Sequence, residues 1–160
     1  MTFAELSRPV QILRLQADAL MILEQYPIKV ARVRCISHNF NTIFRVDTTN
    51  GLKFALRINV NSRRPMPALK AEIAWLEALR KDTDLVVPQT IPRRDGGLIS
   101  SFFSNTLGRD TVAVLFSWLS GQDLGLNGIF ARCCVLVADF ITVILQNHGN
   151  EISTAARNSA

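Results

Sequence analysis

A chain of 160 residues is long enough for one domain, or for one lobe and part of a second. Hydrophobic residues make up 48% of it, which supplies a core and excludes wholesale disorder. The net charge of +5 is mild; it would favour anionic ligands such as nucleotides and matches many solvated surfaces equally well. The pairs Arg63-Arg64 and Arg93-Arg94 lack aromatic interleaving or a reader motif, so no nucleic acid is expected as a partner.

Cys35, Cys133 and Cys134 form neither a disulfide framework nor a C-x-x-C motif, and they read as small hydrophobes. With only His38 and His148 besides, no metal site is expected. Met-Thr-Phe-Ala-Glu lacks a basic start followed by an apolar stretch, so no secretory signal is read and a cytoplasmic location is the expectation. Residues 129–146 are strongly apolar, but Arg132 and Asp139 interrupt them. Charges are expensive at bilayer depth, so this segment reads as a helix whose partners surround it, not as a membrane span.

In chain order, Val10, Leu13, Ala17, Leu20, Met21 and Leu23 recur near a 3.6-residue period, which predicts a helix over 10–25 ended by Pro27. Residues 30–36 alternate as a half-buried strand, and Ser37-His38-Asn39-Phe40-Asn41 interrupts it with turn formers. A second strand follows at 43–48. Asn50-Gly51 supplies a hairpin turn, and a third strand runs over 52–58. After a polar loop at 59–65, Pro67 opens a helix to about Lys81, with Leu69, Ile73, Leu76 and Leu79 on one stripe. Asp95-Gly96-Gly97 and then 105–110 mark turns around a fourth strand at 98–103. A fifth, continuously apolar strand covers 112–118 and ends at Ser120-Gly121.

Alternation along the third strand puts Phe54, Leu56 and Ile58 on one face, expected to meet the helix and core. Lys53, Ala55 and Arg57 share the other face, where small Ala55 leaves room for a flat ligand beside a cation. Glu72 borders the apolar stripe of the following helix. It is either an ordinary exposed glutamate or the partner of Arg57 across the sheet. Three meander strands, a helix and two more strands predict an α+β fold: a five-stranded antiparallel sheet with one packed helix. An N-terminal helix and a C-terminal apolar helix flank it.

A strand cation paired with a helix glutamate is how the small lobe of a kinase-like fold fixes the phosphates of ATP; protein kinases use V-A-I-K and a helix Glu. The chain resembles the small lobe of the aminoglycoside phosphotransferase family, which shares that fold with choline and homoserine kinases. Asn39-Phe40-Asn41-Thr42-Ile43-Phe44-Arg45-Val46 is similar to the family's N-x-x-(F/Y)-R-V stretch. Phe54-Ala55-Leu56-Arg57-Ile58 resembles its nucleotide-binding strand, with arginine in place of lysine. Glu72, Trp75 and Leu76 match its E-x-x-W-L helix, and Leu115-Phe116-Ser117-Trp118-Leu119-Ser120-Gly121 its linker strand. Together these cover about residues 10–125.

The resemblance implies ATP with Mg²⁺ as cofactor and phosphoryl transfer to a hydroxyl of an unidentified small molecule. Arg57 would contact the α- and β-phosphates, held by Glu72. The loop carrying Asn39 and Asn41 would cover the phosphates without the glycine that close approach favours. Ser117, Trp118 and Leu119 would pair with adenine through their backbone; Trp118 could equally be core or a lobe contact. It further implies an N-terminal helical segment at 1–28, the small lobe at 29–121, and a linker, the start of a large lobe and a polar tail at 122–160.

The family's H-G-D-x-x-x-x-N loop and metal-binding aspartate find no match, because His148 precedes Gly149-Asn150-Glu151. No catalytic residue and no Mg²⁺ ligand is assigned, since transfer rests on those groups. The expectation is a truncated phosphotransferase-like chain, inactive alone. The alternative is a non-catalytic interaction module that docks on a partner chain or on a copy of itself through 129–146.

Overall fold

The computed structural model describes residues 2–61 and 64–119. The helix expected at 129–146, the Ser120-Gly121 strand end and the whole of 122–160 lie outside the described residues. All but one of the described residues belong to a unit spanning Met1–Trp118; Leu119 begins a second.

A 3-10 turn at Phe3–Glu5 leads into helix α1, Arg8–Leu23. Pro9 sits in its first turn, where a missing N–H leaves no hydrogen bond unmade. Leu15, Ala19 and Ile22 recur at helical spacing and are fully buried.

Five strands follow around one further helix: β1 Val30–His38, β2 Asn41–Thr48, β3 Lys53–Asn59, α2 Met66–Asp82, β4 Ser100–Ser104 and β5 Arg109–Ser117. They form one antiparallel sheet in the order β1-β2-β3-β5-β4. The sheet is the one expected from the sequence, but β1 continues through Ser37 and His38. The connection to β2 is consequently shorter than the turn formers suggest. A register shift between Cys35 and Ser37 accommodates the extra residue. At the next hairpin Gly51 has φ 84°, the positive value that the Asn-Gly pair predicts.

β3 is central, with β2 and β5 pairing its two edges, and its residues from Phe54 to Asn59 are buried on both faces. Phe54, Leu56 and Ile58 pack with Phe44, Val46 and Leu115 against Leu15, Ala19 and Ile22 of α1. The helix that meets the apolar face is therefore α1. The opposite face of β3 meets α2 through Arg57 and Glu72. Buried polar pairs fix the α1 side: Tyr26 Oη lies 3.1 Å from Ser100 Oγ, and Ser104 Oγ donates to Asp18 Oδ2 at 2.5 Å. Among the described residues no helix is long and apolar enough to cross a membrane.

Candidate nucleotide site

The second face of β3 is built by pairing register. Ile43 of β2 lies opposite Arg57, Arg45 opposite Ala55, and Asn41 opposite Asn59. From β5, Val114 lies opposite Arg57 and Phe116 opposite Ala55. The strip running Ala55, Arg57, Asn59 is thus flanked by Arg45, Ile43 and Asn41 on one side and by Phe116 and Val114 on the other.

At its centre, Arg57 Nη1 donates to Glu72 Oε1 at 2.5 Å and Nη2 to Oε2 at 3.1 Å. Arg57 is 2% exposed and Glu72 0%, so the helix glutamate is the partner of the strand cation and not a surface residue. Two parallel N–H···O bonds suit a guanidinium, whose planar fork matches a carboxylate; lysine offers one rotating head. Taking both charges out of water is costly, and good geometry with further hydrogen bonds is what offsets it. A third residue contributes: Arg64 Nη1 donates to Glu72 Oε2 at 2.8 Å. The Arg57 guanidinium also lies 5.2 Å from the Phe116 ring centroid, a cation–π distance. Its Nε is buried and has no hydrogen-bond partner among the described residues.

The loop between β1 and β2 is tied to the chain leaving β3. Asn61 N–H donates to Phe40 O at 2.8 Å, and Asn61 Nδ2 to Asn39 O at 3.0 Å. Asn39 is exposed at the tip, whereas Asn41 is buried on the face shared with Arg57. Phe40 is 71% exposed. Beneath the loop, His38 Nδ1 lies 2.7 Å from Thr42 Oγ1, and Nε2 lies 2.9 Å from Gln11 Oε1. Burial first, and then the Arg8 cation, hold the imidazole below its ordinary value. Burial likewise raises the Cys35 thiol, which removes it from consideration as a nucleophile.

At the far end of β3, Ser117 N–H donates to Gln89 O at 2.8 Å and Trp118 N–H to Lys53 O at 3.3 Å. Gln89 N–H in turn donates to Ser117 Oγ at 2.9 Å. The amide hydrogens of Ser117 and Trp118 are therefore engaged within the fold. The Trp118 ring lies 5.4 Å from the Arg45 guanidinium, which also pairs with Asp47 at 2.6 Å. Leu119 is half-buried.

Arg57, Glu72 and Asn41 lie on one face of the sheet, Asn39 is exposed in the adjoining β1–β2 loop, and Ser117-Trp118 stand at the other end of β3. Sequence reasoning missed Arg64, Asn59 and Phe116. Arg64 had a signal, a cation shortly before the Glu72 helix; Phe116 had only its alternation with Val114. A cavity of about 860 Å³ beside α2, lined by Met66, Lys70, Ile73, Ala74, Leu98 and Ile99 among others, includes none of the expected site residues. Among the described residues no group of three or more His, Cys, Asp or Glu is placed to hold a metal ion. The donors of Arg57 are of the kind that phosphate oxygens accept from, and among the described residues no carboxylate cluster for a cation accompanies them.

No protein-family model and no curated protein matches the chain. Solved structures do. A microcompartment-associated aminopropanol kinase is similar at 24% identity and TM-score 0.59, over 66% of this chain and 32% of that one. Amicoumacin kinase hAmiN, solved in complex with AMP-PNP, Ca²⁺ and Ami, is similar at 14% identity and TM-score 0.60, over 74% and 35%. An aminoglycoside phosphotransferase from Alicyclobacillus acidocaldarius aligns at 10% identity and TM-score 0.49, over 65% and 27%. The chain has the kinase-like fold, in the arrangement of its small lobe. Its structural neighbours are small-molecule kinases, and it spans about a third of the length of the first two.

Proposed function

We propose that this chain is the nucleotide-holding small lobe of an aminoglycoside phosphotransferase-like small-molecule kinase. The observation that carries the reading is the buried Arg57–Glu72 fork, whose third guanidinium nitrogen, Nε, has no partner among the described residues. Phosphate oxygens are acceptors, and a guanidinium clamped on one edge by a carboxylate presents its other N–H groups, Nε–H among them, in fixed directions.

In this reading ATP lies along the second face of β3. The base sits toward Ala55 and Trp118, and the phosphates run past Arg57 toward the loop of Asn39 and Asn41. Glu72 positions Arg57 and is itself steadied by Arg64. Because the Ser117 and Trp118 amide hydrogens are engaged, adenine pairing through these two residues falls to their backbone carbonyls. Mg²⁺, where it takes part, neutralises phosphate charge during transfer. The described residues supply no cluster for it, so phosphoryl transfer to a hydroxyl is assigned to a protein that includes a large lobe, with this chain inactive alone. Placing 122–160 as the start of such a lobe belongs to the same proposal.

Isothermal titration of the purified chain with ATP tests the reading. Arg57→Ala should weaken binding by about 1–3 kcal/mol, the scale of a hydrogen bond to a charged group. An unchanged affinity removes Arg57 from the site. Phosphoryl transfer by the purified chain across a panel of amino alcohols and aminoglycosides, at rates of a complete kinase, overturns the inactivity claim.

A further inference from the structure

Asn59 is the last residue of β3, 4% exposed, and its Nδ2 is buried without a hydrogen-bond partner among the described residues. Its backbone is fixed, since Thr111 Oγ1 donates to Asn59 O at 2.5 Å. The next two residues are anchored as well. Arg109 Nη2 donates to Val60 O, and Asn61 is tied to the loop at Phe40 and Asn39. A buried side-chain donor on so firmly anchored a backbone, with no partner among the described residues, is a cost to the folded chain. Such costs concentrate where a ligand later supplies the missing group.

Position says which group. Residues two apart on a strand share a face, so Asn59 continues the line of Ala55 and Arg57, about 7 Å beyond Arg57. The line has a direction. At one end Phe54 lies opposite Ser117; at the other Asn59 lies opposite Asn41, beside the hairpin loop. Arg57 Nε and Asn59 Nδ2 are both unpartnered donors on this line. A ligand that satisfies both is extended and carries acceptor oxygens along its length, which describes a polyphosphate.

We infer that Asn59 Nδ2 donates to the outermost phosphate and makes the site selective for nucleoside triphosphate over diphosphate. The inference rests on the proposed nucleotide-binding reading. Arg57 serves the inner phosphates, common to both ligands, while Asn59 meets only the phosphate that the diphosphate lacks.

The test titrates ATP, ADP and tripolyphosphate into the full chain and into Asn59→Ala, Asn59→Asp and Arg57→Ala. Asn59→Ala is expected to weaken ATP about tenfold, the scale of one hydrogen bond to a charged acceptor, and to leave ADP within about twofold. Its Tm should hold or rise, because the removed group is unpartnered. Asn59→Asp sets a carboxylate against phosphate and should abolish the preference for ATP; this comparison stands even if Asn59→Ala does not fold. Tripolyphosphate should follow ATP, not ADP, across the variants. Should ATP and ADP change equally, or neither change, while Arg57→Ala still weakens both, the inference fails and the nucleotide reading stands. That pattern with a lowered Tm makes Asn59 a cross-strand packing partner of Asn41. If the unsubstituted chain binds none of the three ligands, both fail.

Discussion

Arg64 and Arg57 converge on one carboxylate oxygen: Glu72 Oε2 accepts from Arg64 at 2.8 Å and from Arg57 Nη2 at 3.1 Å. Glu72 is wholly buried, so its charge is balanced by these two side chains and not by water. The arrangement couples the position of α2 to the direction of the Arg57 side chain. If α2 moves, Arg57 loses the partner that fixes its direction.

Glu72→Ala leaves the Arg57 cation buried without its carboxylate. It should destabilise the chain by about 3–5 kcal/mol, as when one member of a buried ion pair is deleted. Urea denaturation of the variant gives the value directly. Combined with Arg57→Ala the losses should fall short of additive by about 0.5–3 kcal/mol, since the two side chains touch. Strict additivity would mean that the pair is not formed in solution.

Arg57→Lys preserves the charge but loses the fork. It should retain more ATP affinity than Arg57→Ala and less than the unsubstituted chain, because an ammonium cannot serve carboxylate and phosphate through one rigid plane. Titration calorimetry on the three proteins orders them. Equal affinities for lysine and arginine would make the fork irrelevant.

The imidazole of His38, held by burial and by Arg8 below its ordinary 6.5, makes stability depend on pH. Between that value and the lowered folded one, the unfolded chain binds more protons than the folded chain. The contribution is therefore complete above pH 6.5 and is lost as the pH falls through the lowered value. Denaturation midpoints measured from about pH 8 to about pH 5 should drop in that window, and His38→Gln should flatten the drop. A variant that keeps the full slope assigns it to another group.

Gly51 has φ 84°, and a Cβ built there meets nothing within 4 Å. The cost of Gly51→Ala is then conformational alone, about 1–2 kcal/mol for placing an L-residue in the left-handed region. Thermal denaturation reads it. Nucleotide affinity should not change, since the turn lies at the end of the β2–β3 hairpin away from the Asn39 loop.

Much of the site was legible in the chain because it rests on local rules. Asn50-Gly51 dictates a hairpin, and period-2 alternation put Arg57 on the face opposite Leu56. A glutamate bordering the apolar stripe of the next helix then had one obvious cation to meet. The partner of the apolar face was not legible. Alternation says that Phe54, Leu56 and Ile58 share a side, but not whether α1 or α2 covers it.

The order of β5 between β3 and β4 is a long-range pairing that no local pattern encodes, and so is the packing of α1 and α2 on the two faces of the central strand. Arg64 and Asn59 belong to the same category. One lies in a polar loop and the other at a strand end, and each acquires meaning only when distant segments close around it. Local periodicity and turn chemistry set the elements, because backbone sterics act over a few residues. The fold alone chose which polar atoms were buried and left without partners, because burial depends on what the rest of the chain brings alongside.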